Sequence, residues 1–337
     1  MLLSSCHLND KRIFVDSETF KIADLEVIKL EGTIMQFNDT IWNPVGIDVK
    51  DTLLFLQNRS TKFIYDIYNL KNNEKINECI TIGQGPDEFI RPLIVQSMDT
   101  NVWMYDRVKT VLKEYRVQDL TDKHLPVSIN NISLKNMSNR VAVLSNGNIL
   151  ASVININRGG FDLYDSNGTL RDSIGEFPKF TSGNLSDMEK MFTFQNDFTS
   201  NLTNRIFVCY LHTDLIEIYD FQGNLIKRMH GPQQIRPAMD IWSEGGATGA
   251  RTIKGKTYNC YSSPVYAGNE VFALYYGELY EDYESRNDKM IVFDWEGKPL
   301  RMYELDTHLF TFTVDCENRI IYGITNSPEY RIIKFNY

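Results

Sequence analysis

Cysteine is scarce in this sequence, and its cysteines stand far apart. The chain has five, an odd number, and no two of them have the spacing of a metal site, so neither a disulfide framework nor a zinc site is predicted. Free cysteine is among the most buried residue types. Setting Cys6 aside, we expect small core residues at Cys79, Cys209, Cys260 and Cys316.

The sequence also lacks an excess of basic charge and a long apolar run. Its formal net charge is -9, whereas nucleic-acid and anionic-membrane surfaces need a basic field. It contains no run of about 18 apolar residues, so no membrane-spanning helix is predicted. We therefore expect no nucleic-acid partner, and attachment to a membrane only through a lipid.

Recognisable catalytic motifs are missing too. Neither a Gly-x-Ser-x-Gly elbow nor a His-Glu-x-x-His helix occurs, and the five histidines are dispersed. Three Asp-x-x-Gly segments differ from the Asp box of sialidases, in which a single residue separates Asp from Gly. We predict no catalytic residue, no cofactor and no metal.

What the sequence does contain is a repeat. Three segments, at 161–168, 216–223 and 291–297, each place an alternating strand with an aromatic residue near its end before Asp-x-x-Gly. In such a hairpin the Asp side chain caps the turn and Gly adopts the positive φ of the bend.

Six short apolar runs also recur roughly every 50 residues, each after a polar turn. They start at Leu53, Val102, Ile149, Ile206, Val271 and Ile320. Units of this size with four short strands are typical of propeller blades. In the fourth unit we predict strands at 197–202, 205–210, 215–220 and 224–229, and we expect helix only near 187–192. The predicted fold class is all-β, a six-bladed β-propeller.

The two ends predict how the ring closes. Residues 330–337 have the pattern of a third strand with no fourth strand after it, and residues 25–30 form an unpaired alternating strand before the first unit. An N-terminal strand that completed the last blade would leave no free sheet edge. We predict a propeller over residues 20–337 with this closure.

The first residues carry a second signal. Leu3-Ser4-Ser5-Cys6 resembles the lipobox of bacterial lipoproteins, in which the cysteine is acylated, and a polar stretch follows it. We predict lipidation of Cys6, a lipobox remnant and tether over residues 1–19, and a lipid-anchored location at the bacterial cell envelope, in the outer membrane.

One turn carries a family resemblance. Residues 82–92 read Ile-Gly-Gln-Gly-Pro-Asp-Glu-Phe-Ile-Arg-Pro, and residues 231–237 are a degenerate copy. The first segment resembles the Gly-x-Gly-Pro-x-Glu-Phe turn of TolB-like and NHL-like six-bladed propellers of Bacteroidetes-type lipoproteins, and the resemblance extends over residues 20–337. We interpret the turn as a crossover between blades, with its glycines at positive φ and Pro86 fixing the exit. The resemblance implies a binding or scaffolding domain, although some NHL-like propellers are metal-dependent lyases or lactonases.

Arginine is concentrated at one predicted mouth of the channel. In a propeller, the start of each innermost strand and the loop after each second strand lie at the same mouth. The strand starts are Trp42, Asn43, Arg91, Arg140, Gln195 and Tyr261, and the loop positions are Arg59, Asp106, Arg107, Arg158, His212 and Arg286. Arginine binds carboxylate and phosphate in a planar bidentate manner, so this mouth suits an anionic ligand or an acidic partner loop. Alternatively, each arginine pairs with a neighbouring acid such as Asp106 and holds blades together.

A tyrosine-rich segment at 275–284 is predicted to be a loop of the fifth unit. Tyr276, Tyr280 and Tyr283 offer flat faces for sugars or proteins, although a solvated loop explains them equally well. Two long connections, 178–195 and 231–263, add bulk at the rims.

These features together predict a monomeric, non-catalytic envelope lipoprotein. Its propeller would bind a small anionic or carbohydrate ligand, or a protein, at the arginine-bearing mouth. The alternatives are a metal-dependent propeller enzyme of the lyase or lactonase type, and a structural scaffold in an envelope complex. A metal held in the channel would favour the enzyme, and a broad apolar patch on the rim would favour the scaffold.

Overall fold

The computed structural model describes residues 12–59, 62–97, 100–153, 160–282 and 289–337. Three short strands precede the first blade, with a single 3-10 turn (Ile22–Asp24) between the first two. They are β1 (Glu18–Thr19), β2 (Glu26–Leu30) and β3 (Thr33–Ile34).

Blades 1 to 3 are antiparallel sheets whose strand order follows the chain from the centre outwards. Blade 1 contains β4 (Pro44–Lys50), β5 (Leu53–Asn58), β6 (Phe63–Asn69) and β7 (Glu74–Thr81). Blade 2 contains β8 (Pro92–Val95), β9 (Val102–Asp106), β10 (Val111–Tyr115), helix α1 (Val117–Asp122) and β11 (Asn130–Ser133). Blade 3 contains β12 (Val141–Val143), β13 (Ile149–Ser152), β14 (Phe161–Tyr164) and β15 (Leu170–Ile174).

Blades 4 to 6 follow the same plan. After helix α2 (Asp187–Thr193), blade 4 contains β16 (Asn196–Ser200), β17 (Arg205–Tyr210), β18 (Leu215–Asp220) and β19 (Leu225–His230). A separate hairpin then contains β20 (Asp240–Glu244) and β21 (Ala247–Arg251). Blade 5 contains β22 (Tyr258–Ala267), β23 (Glu270–Leu279), a 3-10 turn (Tyr280–Asp282), β24 (Lys289–Asp294) and β25 (Pro299–Leu305). Blade 6 contains β26 (Thr311–Asp315), β27 (Ile320–Thr325), β28 (Arg331–Asn336) and, from the other end of the chain, β3.

The predicted repeat is confirmed. Each apolar run marks the second strand of one blade, and these strands begin at the predicted residue or one residue before it. The four strands predicted for blade 4 and the helix near 187–192 are also present.

The three Asp-x-x-Gly turns have the predicted geometry. In the turn between β18 and β19, the Asp220 carboxylate accepts hydrogen bonds from the backbone N–H of Gln222 (2.9 Å) and Asn224 (2.8 Å), and Gly223 has φ +84°. The turns at Asp165 and Asp294 repeat this arrangement. A short polar side chain and one glycine therefore specify the hairpin in three blades.

An N-terminal strand completes the last blade, as predicted, but it is not the strand expected. β3 pairs antiparallel with β28 through Ile34 and Ile333. Residues 26–30 instead form β2, which runs parallel to β25 on the outer edge of blade 5. Assigning residues 25–30 to the closure was therefore wrong. The N-terminal segment lies in turn on blades 4, 5 and 6, because β1 pairs parallel with β19.

The core consists of six clusters, one between each pair of neighbouring blades. The cluster between blades 6 and 1 includes Ile324 and Ile332 from one side and Leu54, Leu56 and Tyr68 from the other. The other clusters join blades 1 and 2, 2 and 3, 3 and 4, 4 and 5, and 5 and 6. Because every interface is apolar, burial on both faces of each sheet holds the ring closed.

Three of the four predicted core cysteines are buried. They are Cys79, Cys209 and Cys260, and burial raises the pKa of the Cys79 thiol to about 12. Cys316 lies exposed in the turn before β27, so its assignment to the core was wrong.

Candidate functional site: the upper mouth of the central channel

One hydrogen bond recurs around one end of the ring and builds the site. The loop after the second strand donates a backbone N–H to the residue just before the innermost strand. The pairs are Arg59 to Asn43 (3.1 Å), Arg107 to Arg91 (3.1 Å) and Leu211 to Gln195 (2.9 Å) in blades 1, 2 and 4. We call this end of the channel, where the innermost strands begin, the upper mouth, and the surface around it the upper face.

The channel encloses a cavity of about 1100 Å³. Innermost strands from all six blades contribute to its walls. Of the residues predicted for the site, Arg107, Arg140, Gln195 and Tyr261 line it. Near the upper mouth, Phe177 and Phe192 from the connection between blades 3 and 4 add apolar surface.

Arg140 is held by a carboxylate on the next blade. Its Nε donates to Asp197 Oδ1 (2.7 Å), and its Nη2 contacts Asp197 Oδ2. Burial lowers the pKa of the guanidinium, but the charge of Asp197 outweighs this effect and the pKa is raised. Arg140 therefore holds blades 3 and 4 together through its ion pair with Asp197.

Arg107 differs from Arg140, since it lines the cavity half-buried and has no ion pair in the described part of the chain. The neighbouring acid, Asp106, is buried and accepts hydrogen bonds from the backbone N–H of Ile90 (2.7 Å), Val108 (2.9 Å) and Lys109 (3.2 Å). Asp106 also accepts the backbone N–H of Arg91 (3.4 Å). It thus shapes the loop after β9, and among the described residues it forms no ion pair with an arginine side chain.

Two further arginines flank Arg107 on the same side of the mouth. Arg59 and Arg91 are exposed, and within the described residues neither guanidinium has an ion pair. Trp42, which precedes Asn43 on blade 1, has 78% of its surface exposed. Counting only the described residues, the blade 1 and 2 side of the upper mouth therefore presents three guanidinium groups without an ion pair and an exposed indole.

The fold and this geometry agree with a family of known propellers. The model of the TolB-like 6-blade propeller-like family matches residues 21–317. The chain belongs to the TolB-like six-bladed propeller family. No curated protein matches it significantly.

Several solved structures share the fold of this TolB-like propeller. A candidate exported protein of Bacteroides fragilis NCTC 9343 has a TM-score of 0.53 and 12% identity, with 95% of this chain and 98% of that chain covered. A DUF4221 family member of Bacteroides vulgatus ATCC 8482 has a TM-score of 0.51 and 11% identity, with 91% and 98% covered. Chaetomium thermophilum Raptor has a TM-score of 0.53 and 10% identity, with 94% and 29% covered. At these identities the likeness establishes the fold and no more.

Besides Asp106, three predicted site residues of the TolB-like propeller lie inside the protein. Tyr261 is 1% exposed, and its hydroxyl donates to the Gly231 carbonyl (2.8 Å). His212 is buried beside the Tyr258 carbonyl, and burial lowers the pKa of its imidazole. Tyr276 is buried in β23, so its placement in a loop was wrong.

The remaining predicted positions are more open or lie outside the described residues. Tyr280 is 48% exposed in the 3-10 turn after β23, and the Gln195 side chain donates to the Phe192 carbonyl (3.1 Å). Four predicted residues fall outside the described residues, namely Cys6, Arg158, Tyr283 and Arg286.

Two carboxylates of the TolB-like propeller's channel were missed by the sequence argument. Asp197 lies within β16, and Asp48 lies within β4, where its Oδ1 accepts from the Val49 N–H (2.8 Å) and from the Thr313 hydroxyl (3.4 Å). Burial in the channel raises the pKa of Asp48. A single acidic residue inside each of these innermost strands was the available signal. Within the described ranges, no three His, Cys, Asp or Glu side chains group together as a metal site.

Proposed function

We propose that this chain is an exported, lipid-anchored, non-catalytic propeller that binds a small anionic ligand at its upper mouth. The observation that carries the proposal is the half-buried Arg107, which lines the channel and has no ion pair among the described residues. A partly desolvated cation without a counter-charge gains free energy when an anion binds it.

The surroundings of Arg107 suit an anion with a flat or polyhydroxylated body. Arg59 and Arg91 add positive charge on the same side, while the exposed Trp42 supplies a face on which a sugar ring can stack. The cavity walls mix polar and apolar side chains, such as Gln57 and Phe192. An acidic sugar or a phosphorylated sugar is therefore the ligand class that we propose.

Two observations support the export and anchoring part of the proposal. The segment Leu3-Ser4-Ser5-Cys6 has the lipobox pattern, and a protein with the same fold is described as a candidate exported protein. We propose Cys6 as the acylated residue and a monomer as the functional state.

A calorimetric titration tests the proposed ligand. The full chain is screened against uronic acids, acidic oligosaccharides and sugar phosphates, and each hit is titrated again with Arg107→Gln. Losing a charge-assisted hydrogen bond of about 1.5–3 kcal/mol predicts affinity lowered by roughly 10- to 100-fold. Raising the salt concentration should weaken the same hits, because exposed charges are screened.

A matched variant controls for the loss of one positive charge. Arg171→Gln removes an exposed arginine that pairs with Asp165 at the outer edge of blade 3, far from the channel. Its affinity should equal that of the unaltered chain. Hits that survive Arg107→Gln would contradict the site, and a screen without hits would favour an acidic protein loop as the partner.

A further inference from the structure

The N-terminal segment of residues 12–17 is docked on the folded propeller. Val15 donates its N–H to the Lys179 carbonyl (2.9 Å), and Ile13 accepts one from Thr181 (2.9 Å). The Thr181 hydroxyl also donates to the Arg12 carbonyl (2.6 Å). This segment, predicted from the sequence to be part of the tether, thus forms a short strand-like pairing with residues 179–181.

Two buried groups fix the docked segment. Phe14 is fully buried, with its ring 5.1 Å from that of Phe180 and 4.8 Å from that of His230. Arg228 donates to the Val15 carbonyl while it pairs with Glu217, which is itself fully buried. Moving the segment would expose an aromatic ring and leave a buried charge network incomplete, so the segment is held firmly.

The topology places this docking on the upper face. Residues 175–195 connect the outer end of β15 to the start of β16, and β16 begins at the upper mouth. Since the segment pairs with residues of this connection, Arg12 lies on the face that carries Arg91 and Arg107.

Chain length then limits where an anchor can sit. Five residues lie between Cys6 and Arg12, which makes six steps along the chain. A fully extended chain covers at most about 3.5 Å per step, or roughly 20 Å in all. The ten-residue strand β23 alone rises about 30 Å from the lower to the upper face. With the lower face on a bilayer, Arg12 would lie beyond the reach of an anchored Cys6.

The β20–β21 hairpin favours an orientation in which the upper face, and not the edge of the propeller, lies on the bilayer. β20 and β21 belong to the connection from β19 to β22, both of whose ends lie at the upper mouth. Trp242 on this hairpin is 37% exposed. Tryptophan is favoured at membrane interfaces, where its ring meets the apolar region and its N–H meets water.

We infer that the docked N-terminal segment turns the upper mouth toward the bilayer that holds the lipid anchor. The inference rests on the anchoring part of the proposed function. The arginine-bearing site would then receive its anionic ligand at the membrane surface and not from the side facing away from it.

Fluorescence quenching from the lipid headgroups tests this orientation. The full chain is expressed behind a lipoprotein signal sequence, with Cys316→Ser as background, and placed in phosphatidylcholine vesicles that contain a headgroup nitroxide lipid. A dye is attached at Lys254→Cys on the upper face or at Lys71→Cys on the lower face, both exposed lysines in the unaltered chain. We expect most fluorescence to be lost at position 254 and little at position 71.

A separate measurement isolates the anchor. Vesicle flotation should be lost in Cys6→Ser, and flotation that persists would overturn the anchoring proposal. If the unaltered chain floats but quenching at position 71 equals or exceeds that at position 254, the orientation is refuted while the anchor stands.

Discussion

At the scale of single residues, the turn at 83–89 shows how few side chains fix a crossover between blades. The Glu88 carboxylate accepts the N–H of Gly85 (2.8 Å), and the Lys109 ammonium donates to the carbonyls of Gly85 (2.8 Å) and Glu88 (2.7 Å). Positive φ is not the reason for the glycines, contrary to the sequence-based expectation, since neither is among the residues with positive φ. A Cβ at Gly83 would lie 2.0 Å from Glu88 Oε2, so a side chain at position 83 would displace the Glu88 carboxylate.

Gly83→Ala should therefore destabilise the protein by about 1–3 kcal/mol, because the Glu88 carboxylate must abandon its backbone hydrogen bond. Chemical denaturation measures the loss of stability in Gly83→Ala, in Glu88→Ala and in the variant that carries both substitutions. Glu88→Ala should cost a similar amount, and adding Gly83→Ala to it should cost little more. Fully additive effects of the two substitutions would show that the carboxylate is not the obstacle.

Asp48 gives the channel a dependence on pH. Burial raises its pKa above the ordinary value of 3.8, so the folded protein holds the proton more tightly than the unfolded chain. The ionised carboxylate therefore costs stability once the pH rises above 3.8 and through the folded pKa.

Asp48→Asn should raise the free energy of unfolding at pH 7, and the gain should disappear as the pH falls toward 3.8. The asparagine oxygen can still accept from Val49 and Thr313. Thermal melts across pH measure the difference, with the exposed Asp172→Asn as a control for charge removal. A gain that grew on acidification would mean that Asp48 is stabilised as a carboxylate.

At the scale of elements, the docked segment 12–17 is a small structure with a large buried anchor. Phe14 packs among three rings, two from the connection 175–195 and one from the end of β19, whereas Val15 next to it is 36% exposed. Within the docked segment, Phe14 thus contributes core packing, whereas Val15 contributes mainly backbone hydrogen bonds.

Phe14→Ala should lower the free energy of unfolding by about 3–5 kcal/mol, the usual cost of removing a buried phenylalanine. Val15→Ala keeps the same backbone hydrogen bonds and should cost well under half as much. Denaturant titrations of both variants compare them. Equal effects would show that pairing, and not the ring, holds the segment.

Some strands could be predicted from the sequence and others could not. The second strands of the six blades could be placed from alternation and turn residues alone, because both signals are local. The pairing of residues 26–30 with β25 could not, because an edge strand fits several sheets equally well. The Arg140 to Asp197 pair joins residues 57 positions apart, and a single sequence carries no sign of it.

At the scale of the whole molecule, one very short strand closes the ring. The closing strand β3 has two residues, and its pairing with β28 joins the ends of a ring built from all the rest of the chain. Apolar contacts between blades 6 and 1 reinforce the closure. Unfolding should therefore begin where β3 leaves β28, since few hydrogen bonds need to break there.

A cross-link at this point should stabilise the propeller as a whole. Thr33 and Lys334 are direct partners in an antiparallel pair, where Cα atoms lie about 5.5 Å apart, a separation that suits a disulfide. Thr33→Cys with Lys334→Cys, in a Cys316→Ser background, would close a loop of nearly the entire chain and could add up to about 5 kcal/mol in the chain-entropy account. Melting the oxidised and reduced forms of the same variant makes each the control of the other. A disulfide that forms without raising the melting temperature would place the start of unfolding at another blade interface.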